Sequence, residues 1–233
     1  LDQDAEALEA AKLNLSRYQD IDYVNDNFRN LAKIVKEPVD GFLFDLGVSS
    51  HQINAPERGF SLQHDGPLDM RMDKQTKISA ADLVNNYRQD DLTKIFREFG
   101  EERFAHLVAK AIVKKRALEP ITTTGQLKVI VEKSIPTWRK RESVTRVFQA
   151  LRIAVNEELD NLRAALESAI KLLKPRGRIV VIAYHSLEDR IVKHTFREKD
   201  LKVLTKKPLL AGAEELAANP RARSAKMRAA EKL

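Results

Sequence analysis

The chain has 233 residues, enough to bury a sizeable core in one large domain or in a domain with an insertion. It contains no cysteine, which excludes disulfides and zinc-thiolate sites, and no apolar run approaches the roughly eighteen residues of a membrane span. The net charge is +7, and residues 197–233 alone hold ten Lys and Arg against five Asp and Glu. A basic excess suits a polyanionic partner, although a solvated charged surface gives the same pattern. With no targeting segment visible, we expect a cytoplasmic protein.

The first third of the chain predicts a helix followed by two strands. Residues 4–18 carry apolar side chains at helical spacing with acids in the first turn, so a helix is predicted to begin near Asp4. Residues 21–24 are a short strand candidate. The segment 39–45 is apolar on successive residues and ends in an acid, as expected of a strand that is covered on both faces.

The pattern changes twice further along the chain. A helical stripe from 159 to 173 ends at a basic Pro-Gly segment, and a second buried strand is predicted at 178–184. Alternating strands and helices indicate an α/β sheet of the doubly wound kind. Residues 74–142 instead hold four helical segments and no strand of consequence. We therefore predict an all-helical domain at 74–142, inserted into an α/β domain formed by residues 1–73 and 143–233.

Polar residues follow the predicted strand ends, where open parallel sheets bind their ligands. Asp2 either accepts hydrogen bonds from a ribose diol or caps the following helix, and the sequence leaves both open. His185 begins the run His-Ser-Leu-Glu-Asp-Arg, for which a helix capped by Ser186 is the simplest interpretation. No Gly-x-Ser-x-Gly elbow surrounds Ser186, so the sequence does not favour a hydrolase.

The run from Asp45 to Gln52 is more specific. Gly47 permits a backbone turn that a side chain would obstruct, and the two serines after it leave room for a ligand. Asp45 supplies a hydrogen-bond acceptor and Gln52 a mixed donor and acceptor. An ordinary polar turn is the alternative.

A loop rich in aspartate spans residues 65–73. Asp65, Asp69 and Asp73 together offer the ligands of a metal loop, but the glycine and the closing glutamate of an EF-hand are missing. We predict no metal, and expect a rigid loop with Arg71 paired internally.

Seven segments occur in order along the chain. They are Asp45-Leu-Gly-Val-Ser-Ser, Glu57-Arg-Gly-Phe-Ser, Asp65-Gly-Pro-Leu-Asp-Met-Arg-Met-Asp, Gly100-Glu-Glu-Arg-Phe, Phe148-Gln-Ala-Leu-Arg-Ile-Ala-Val-Asn, His185-Ser-Leu-Glu-Asp-Arg and Asn219-Pro-Arg-Ala-Arg-Ser. Together they resemble the RsmH family, also called MraW, and the similarity runs from Leu1 to the C-terminus. That family methylates N4 of a cytidine in the decoding region of bacterial small-subunit rRNA, with S-adenosylmethionine as cofactor.

The resemblance implies a Rossmann-like methyltransferase sheet with an inserted helical domain for RNA recognition. By position it assigns Asp2 to the ribose of S-adenosylmethionine, Phe28 to the adenine, and Asp45 and Gln52 to further cofactor contacts. It implies 16S rRNA or the small ribosomal subunit as partner, without a membrane, and leaves the oligomeric state open, a homodimer included. Family members also begin with a further strand and a loop ending Gly-Gly-His. That loop is not among these residues, and we expect poor cofactor binding if it is truly absent.

A mechanism follows from the same assignment. An acceptor for an N4 proton would localise the amine lone pair, and we expect Asp45 or a neighbouring backbone carbonyl to serve, with His185 second. Two rival functions are a noncatalytic RNA-binding assembly protein and a nicotinamide-dependent dehydrogenase, the latter without any visible hydride-acceptor pocket. Five arginines are expected to contact RNA, or else to form surface ion pairs: Arg58, Arg71, Arg190, Arg221 and Arg223. The last two lie in an Ala-rich end, after Ala211, that is expected to be loosely ordered.

Overall fold

Helices and strands alternate at the two ends of the chain, whereas residues 50–172 contain helices and no strand. The computed structural model describes residues 1–198 and 200–233. No helix in these two ranges combines the length and apolar character that crossing a bilayer demands. The helices are α1 (Ala5–Asn14), α2 (Leu31–Ile34), α3 (Ser50–Asn54), α4 (Ala80–Asn86), α5 (Gln89–Glu98), α6 (Ala105–Arg116), α7 (Thr124–Ser134), α8 (Lys140–Asn156), α9 (Glu158–Leu172), α10 (Ser186–Glu198) and α11 (Ala213–Ala218). The strands are β1 (Val39–Asp45), β2 (Leu173–Ala183), β3 (Leu201–Val203) and β4 (Lys226–Lys232).

The chain forms two compact units, which are described separately. The sheet unit comprises Leu1–Gln3, Asp22–Gly47 and Leu159–Leu233, and the helical unit comprises Asp4–Ile21 and Val48–Glu158. The insertion limits predicted from the sequence, 74 and 142, stay a prediction.

The sheet unit contains a four-stranded sheet in the order β1-β2-β4-β3. β1 and β2 run parallel, whereas β4 is antiparallel to both of its neighbours. Apolar side chains of α9, including Leu162 and Leu166, pack with Ile179 and Val181 of β2 in one core. The result is a mixed sheet flanked by helices, which confirms the expected Rossmann-like α/β class.

β1 is covered on one face only, so the expectation of burial on both faces was wrong for it. Side chains alternate along a strand. Phe42 and Phe44 therefore share a face, where their rings lie 6.2 Å apart, while Leu43 on the other face is 68 % exposed. β1 is also the edge strand of the described sheet, so no neighbour shields its outer side.

Two further expectations for this unit need correction. Residues 21–24 do not form a strand, and next to them a single parallel bridge joins Asn25 to Asp2 at the chain start. The C-terminal segment, expected to be loosely ordered after Ala211, instead contains α11 and supplies β4 to the interior of the sheet. Small side chains permit this position, since Ala230 is fully buried between β2 and β3.

The helical unit is built around α4 to α8. The four helices predicted between 74 and 142 are present, and a capping box between Ser79 and Asp82 begins the first of them. Their apolar faces meet in one core with that of α8, as helical periodicity predicts. The fully buried members include Val84, Leu92, Phe96, Ile112, Leu127, Val147 and Leu151.

Candidate active site

The carboxyl ends of β1 and β2 lie side by side, because the two strands are parallel and Asp45 is opposite Ile182. The backbone N–H of Leu46 donates to the carbonyl of Ile182 at 3.0 Å, which extends the pairing past the end of β1. Gly47 then turns the chain with a φ of 90°, a conformation that favours glycine. This geometry leaves the Asp45 side chain exposed at the end of the strand.

Tyr184, which sequence reasoning overlooked, is the partner of Asp45. Its hydroxyl donates to Asp45 Oδ1 at 2.9 Å. Burial raises the pKa of Tyr184 to about 12, and the hydrogen bond to the Asp45 carboxylate adds to the shift. The predicted parallel sheet could have pointed to Tyr184, because residues just beyond Ile182 lie beside Asp45 when the two strands pair.

His185 is engaged in the start of α10 together with Glu188. Glu188 accepts from the backbone N–H of Tyr184 at 2.9 Å and of His185 at 3.3 Å, while its own N–H donates to His185 Nδ1 at 3.4 Å. This reciprocal pattern resembles a capping box, so His185 takes the position that the sequence assigned to Ser186. Both side chains are buried, at 8 % and 3 % exposure.

The bond to Nδ1 also bears on acid–base chemistry. A neutral imidazole whose Nδ1 accepts carries its proton on Nε2 and has no free lone pair. Nε2 is buried and makes no hydrogen bond within the described chain, although it lies 3.3 Å from Glu188 Oε1. This geometry favours Asp45 over His185 as an acceptor of a substrate proton.

Asp2 and Phe28 lie in the same unit as Asp45. The Asp2 backbone bonds to Val24 and Asp26 at 3.1 Å each, and this segment leads to Phe28. The partly buried Phe28 ring packs edge-on against Phe44, the residue before Asp45, at a centroid distance of 6.2 Å. Asp2 does not cap α1.

The cap of α1 is Asp4, in the helical unit. Asp4 Oδ1 accepts from the N–H of Glu6 at 3.0 Å, and Asp4 Oδ2 accepts from Gln52 Nε2 at 2.6 Å. Gln52 Oε1 accepts from the N–H of Ser49 at 2.9 Å, completing a capping box at the start of α3. Gln52 is therefore buried and bonded to protein at both ends of its amide.

Arg58 is also buried in the helical unit. Its guanidinium group lies 2.9 Å from Asp4 Oδ2 and 2.7 Å from Glu6 Oε2. It also donates to the carbonyls of Arg71 and Met72 at 3.1 and 3.0 Å. At 3 % exposure the group is occupied by protein partners, which argues against the RNA contact predicted for Arg58.

The sequence profile of the MraW methylase family matches residues 1–233. The chain belongs to the MraW methylase family. Similar curated proteins from three bacteria are each named ribosomal RNA small subunit methyltransferase H. They are 46 % identical in Halothermothrix orenii, 49 % in Carboxydothermus hydrogenoformans and 48 % in Pelobacter propionicus. Each match spans the whole of this chain and 83 % of the relative.

A methylase family points to S-adenosylmethionine in general, and the sheet unit of this MraW family member has residues that fit it. Asp45 is an exposed carboxylate at a strand end, and Phe28 offers a partly exposed aromatic ring. A carboxylate such as Asp2 accepts hydrogen bonds from a diol. Gln52 fits less well, since its oxygen and one amide hydrogen are already bonded. The assignment of each residue stays a prediction.

The remaining predicted arginines fall into two groups in this MraW family member. Arg71 pairs internally, as expected, with two bonds to Asp69 at 2.6 and 2.8 Å and one to the carbonyl of Thr76 at 2.8 Å. Burial alone would raise the pKa of Asp69, but the Arg71 hydrogen bonds outweigh it and the pKa is lowered. Arg190, Arg221 and Arg223 are exposed, the first on α10 and the others in the 3-10 turn Pro220–Ser224.

Proposed function

We propose that the chain methylates 16S rRNA, transferring a methyl group from S-adenosylmethionine to the exocyclic N4 of a cytidine in the decoding region. The observation that carries the proposal is the family match over the whole chain, joined to an exposed carboxylate at the end of β1. The names of the relatives support small-subunit rRNA as the substrate class.

The reaction needs alignment and a proton acceptor more than it needs activation of the methyl group. S-adenosylmethionine, when bound, supplies a methyl group that its sulfonium already activates. The N4 amine of cytosine is a weak nucleophile, because its lone pair is delocalised into the ring. An acceptor for an N4 proton localises that pair and removes charge as the new bond forms.

Asp45 suits the role of acceptor. Oδ1 is fixed by the Tyr184 hydroxyl, and in the described part of the chain no donor bonds to Oδ2. Because the pKa of Tyr184 is raised to about 12, the phenol stays protonated and acts as a donor that orients the carboxylate. Oδ2 then accepts the N4 proton.

RNA is proposed to approach the exposed cations. Arg221 and Arg223 lie two positions apart in one short turn, a spacing that suits neighbouring phosphates. Arg190 provides a further exposed cation on α10. The target base must leave its stack to reach a pocket at the strand ends, as bases do in other base-modifying enzymes. The helical insertion is proposed to recognise the RNA that flanks the target base.

The test is transfer of labelled methyl from S-adenosylmethionine to small ribosomal subunits, followed by nuclease digestion and identification of the modified nucleoside. Asp45→Asn should lower the rate by about 10²-fold or more, since general-base assistance contributes about that much. Asp40→Asn is the matched control, because Asp40 is an exposed carboxylate near the other end of β1.

The outcomes separate the alternatives. Label in N4-methylcytidine of 16S rRNA supports the proposal, whereas label in another nucleoside or in protein overturns the substrate assignment. Equal rates for wild type and Asp45→Asn overturn the role of Asp45. RNA retention with no heat of S-adenosylmethionine binding would instead indicate a noncatalytic RNA-binding protein.

A further inference from the structure

Trp138 is the only tryptophan of the sequence, and it is 73 % exposed. It lies in the 3-10 turn Thr137–Arg139 that leads into α8. Leaving apolar surface in water costs about 25 cal/mol per Å², so an exposed indole is a feature that binding can explain. The Arg139 guanidinium carbon lies 4.7 Å from the ring centroid, which holds the ring by a cation–π contact.

Cations follow Trp138 directly in the chain. Arg139 is paired with Glu142 at 2.5 Å. Unlike Arg139, Lys140 and Arg141 form no ion pair, because no carboxylate of the described chain lies within ion-pair distance of either side chain. Their charges are therefore available to an outside anion.

A pocket of about 690 Å³ lies next to these cations in the helical unit. Its described lining has three cations, Lys128, Lys140 and Arg141, against one carboxylate, Glu132. The Lys128 ammonium is held by the carbonyl of Leu62 at 3.2 Å. Pockets of roughly 300–1,000 Å³ accommodate small organic ligands, so a nucleotide fits this volume.

We propose that Trp138, Arg139, Lys140, Arg141 and Lys128, here called the Trp138 surface, bind a single-stranded segment of RNA. A base stacks on the indole, and the adjoining phosphates lie against Lys140 and Arg141. The inference rests on the proposed function in taking rRNA as the substrate. It adds a binding contact on the helical unit that takes no part in methyl transfer.

Single-stranded RNA is favoured over other occupants for two reasons. Its unstacked bases are free to stack on an aromatic ring, whereas those of a duplex are already stacked on each other. Its phosphates also complement a pocket with a net excess of cations, and they release counterions on binding.

The test uses the fluorescence of Trp138, because the 233-residue chain has no other tryptophan. A single-stranded RNA of about ten nucleotides is titrated into the protein without S-adenosylmethionine, and binding is followed by indole emission and by anisotropy of labelled RNA. We expect saturable quenching with the single strand and much weaker quenching with the matched duplex. Trp138→Phe supplies the emission baseline.

The variants test affinity. Trp138→Ala should weaken binding about 5- to 100-fold, the range for loss of one stacked base, while Trp138→Phe recovers most of it. Leu118→Ala removes another exposed apolar side chain of the same unit, 79 % exposed, and should leave affinity unchanged. Lys140→Gln with Arg141→Gln should reduce the slope of log affinity against log salt by about 1.4, roughly 0.7 for each phosphate contact. Lys94→Gln with Arg97→Gln removes the same charges from exposed positions on α5 and should leave this slope unchanged.

Three results would overturn the inference. The first is unchanged indole emission while anisotropy shows bound RNA. The second is equal RNA affinity of Trp138→Ala and wild type. The third is that Trp138→Ala loses affinity for a protein partner but not for RNA. A failure of methyl transfer is separate, because the binding measurement contains no cofactor. Circular dichroism of each variant confirms that it is folded.

Discussion

The hydroxyl of Tyr184 donates a hydrogen bond to Asp45 Oδ1 at 2.9 Å and thereby links the carboxyl ends of β1 and β2. The two residues are 139 positions apart in the chain and meet because the strands are parallel neighbours. The bond restrains one oxygen of an exposed carboxylate and leaves the other available.

Tyr184→Phe removes the bond but keeps the ring. If Asp45 orients cofactor or substrate, the loss of its restraint should lower kcat/KM for methyl transfer about 5- to 30-fold, which corresponds to about 1–2 kcal/mol for one hydrogen bond. Tyr18→Phe, at a 52 % exposed position, is the control. Kinetics of Tyr184→Phe equal to those of the wild type would show that the restraint is irrelevant to turnover.

Arg58→Ala should destabilise the helical unit by about 3–5 kcal/mol, because it leaves the buried carboxylate of Asp4 without its cation. The measurement is urea unfolding followed by circular dichroism. Arg88→Ala is the matched control: Arg88 also pairs with an aspartate, Asp91, but is 85 % exposed, so its loss should cost less than about 1 kcal/mol. Similar losses for the two variants would contradict the structural role of Arg58.

Glu6 should make stability depend on acidity. The hydrogen bond from Lys74 is the largest reason why the pKa of Glu6 is lowered from 4.5 to about 2, with Arg58 contributing. A carboxyl group with a lowered pKa stabilises the fold above pH 4.5 and loses that contribution as the pH falls towards 2. Glu6 is 42 % exposed, so solvent screens the effect.

Glu6→Gln should therefore flatten the fall in the urea midpoint between pH 4.5 and pH 2. Glu9→Gln is the control on the same helix, because Glu9 is 68 % exposed and pairs only with Lys12 among the contacts of the described chain. An unchanged acid slope in Glu6→Gln would place the acid sensitivity elsewhere.

Gly59→Ala should destabilise the helical unit by at least about 1–2 kcal/mol. Its φ is 75°, a left-handed conformation that costs other residues about this much. An added Cβ would also lie 2.3 Å from the carbonyl oxygen of Pro67. Gly212→Ala is the control, since Gly212 has a φ of −73° and no atom within 4 Å of the new Cβ. A thermal midpoint equal to wild type in Gly59→Ala would contradict the local geometry.

Arg221→Gln with Arg223→Gln tests the proposed RNA contact in the sheet unit. Each phosphate contact contributes about 0.7 to the salt slope for a single strand, so the double variant should lower it by about 1.4. RNA affinity is measured between about 50 and 200 mM salt, where phosphate contacts give a measurable slope. An unchanged slope would mean that these arginines are solvated surface residues that do not contact phosphate.

Much of the architecture was accessible from local patterns. Helical periodicity predicted the helices between 74 and 142, because each buries one apolar face irrespective of its neighbours' order. The class of the sheet followed from apolar runs that end in polar residues. The strand β4 escaped prediction, because Lys226 to Lys232 is rich in alanine and charge and owes its place to pairing with β2 and β3.

Local residue order and long motifs were enough to predict the family, the α/β class with its helical segments, and the position of Asp45 at a strand end. Which polar groups meet depends on the folded structure. It placed Tyr184 on Asp45, showed that His185 caps α10, and buried Arg58 with Asp4. The Tyr184 and Arg58 pairings join residues far apart in the chain, whereas the His185 cap is local. The free energy of each depends on burial and geometry that spacing does not encode.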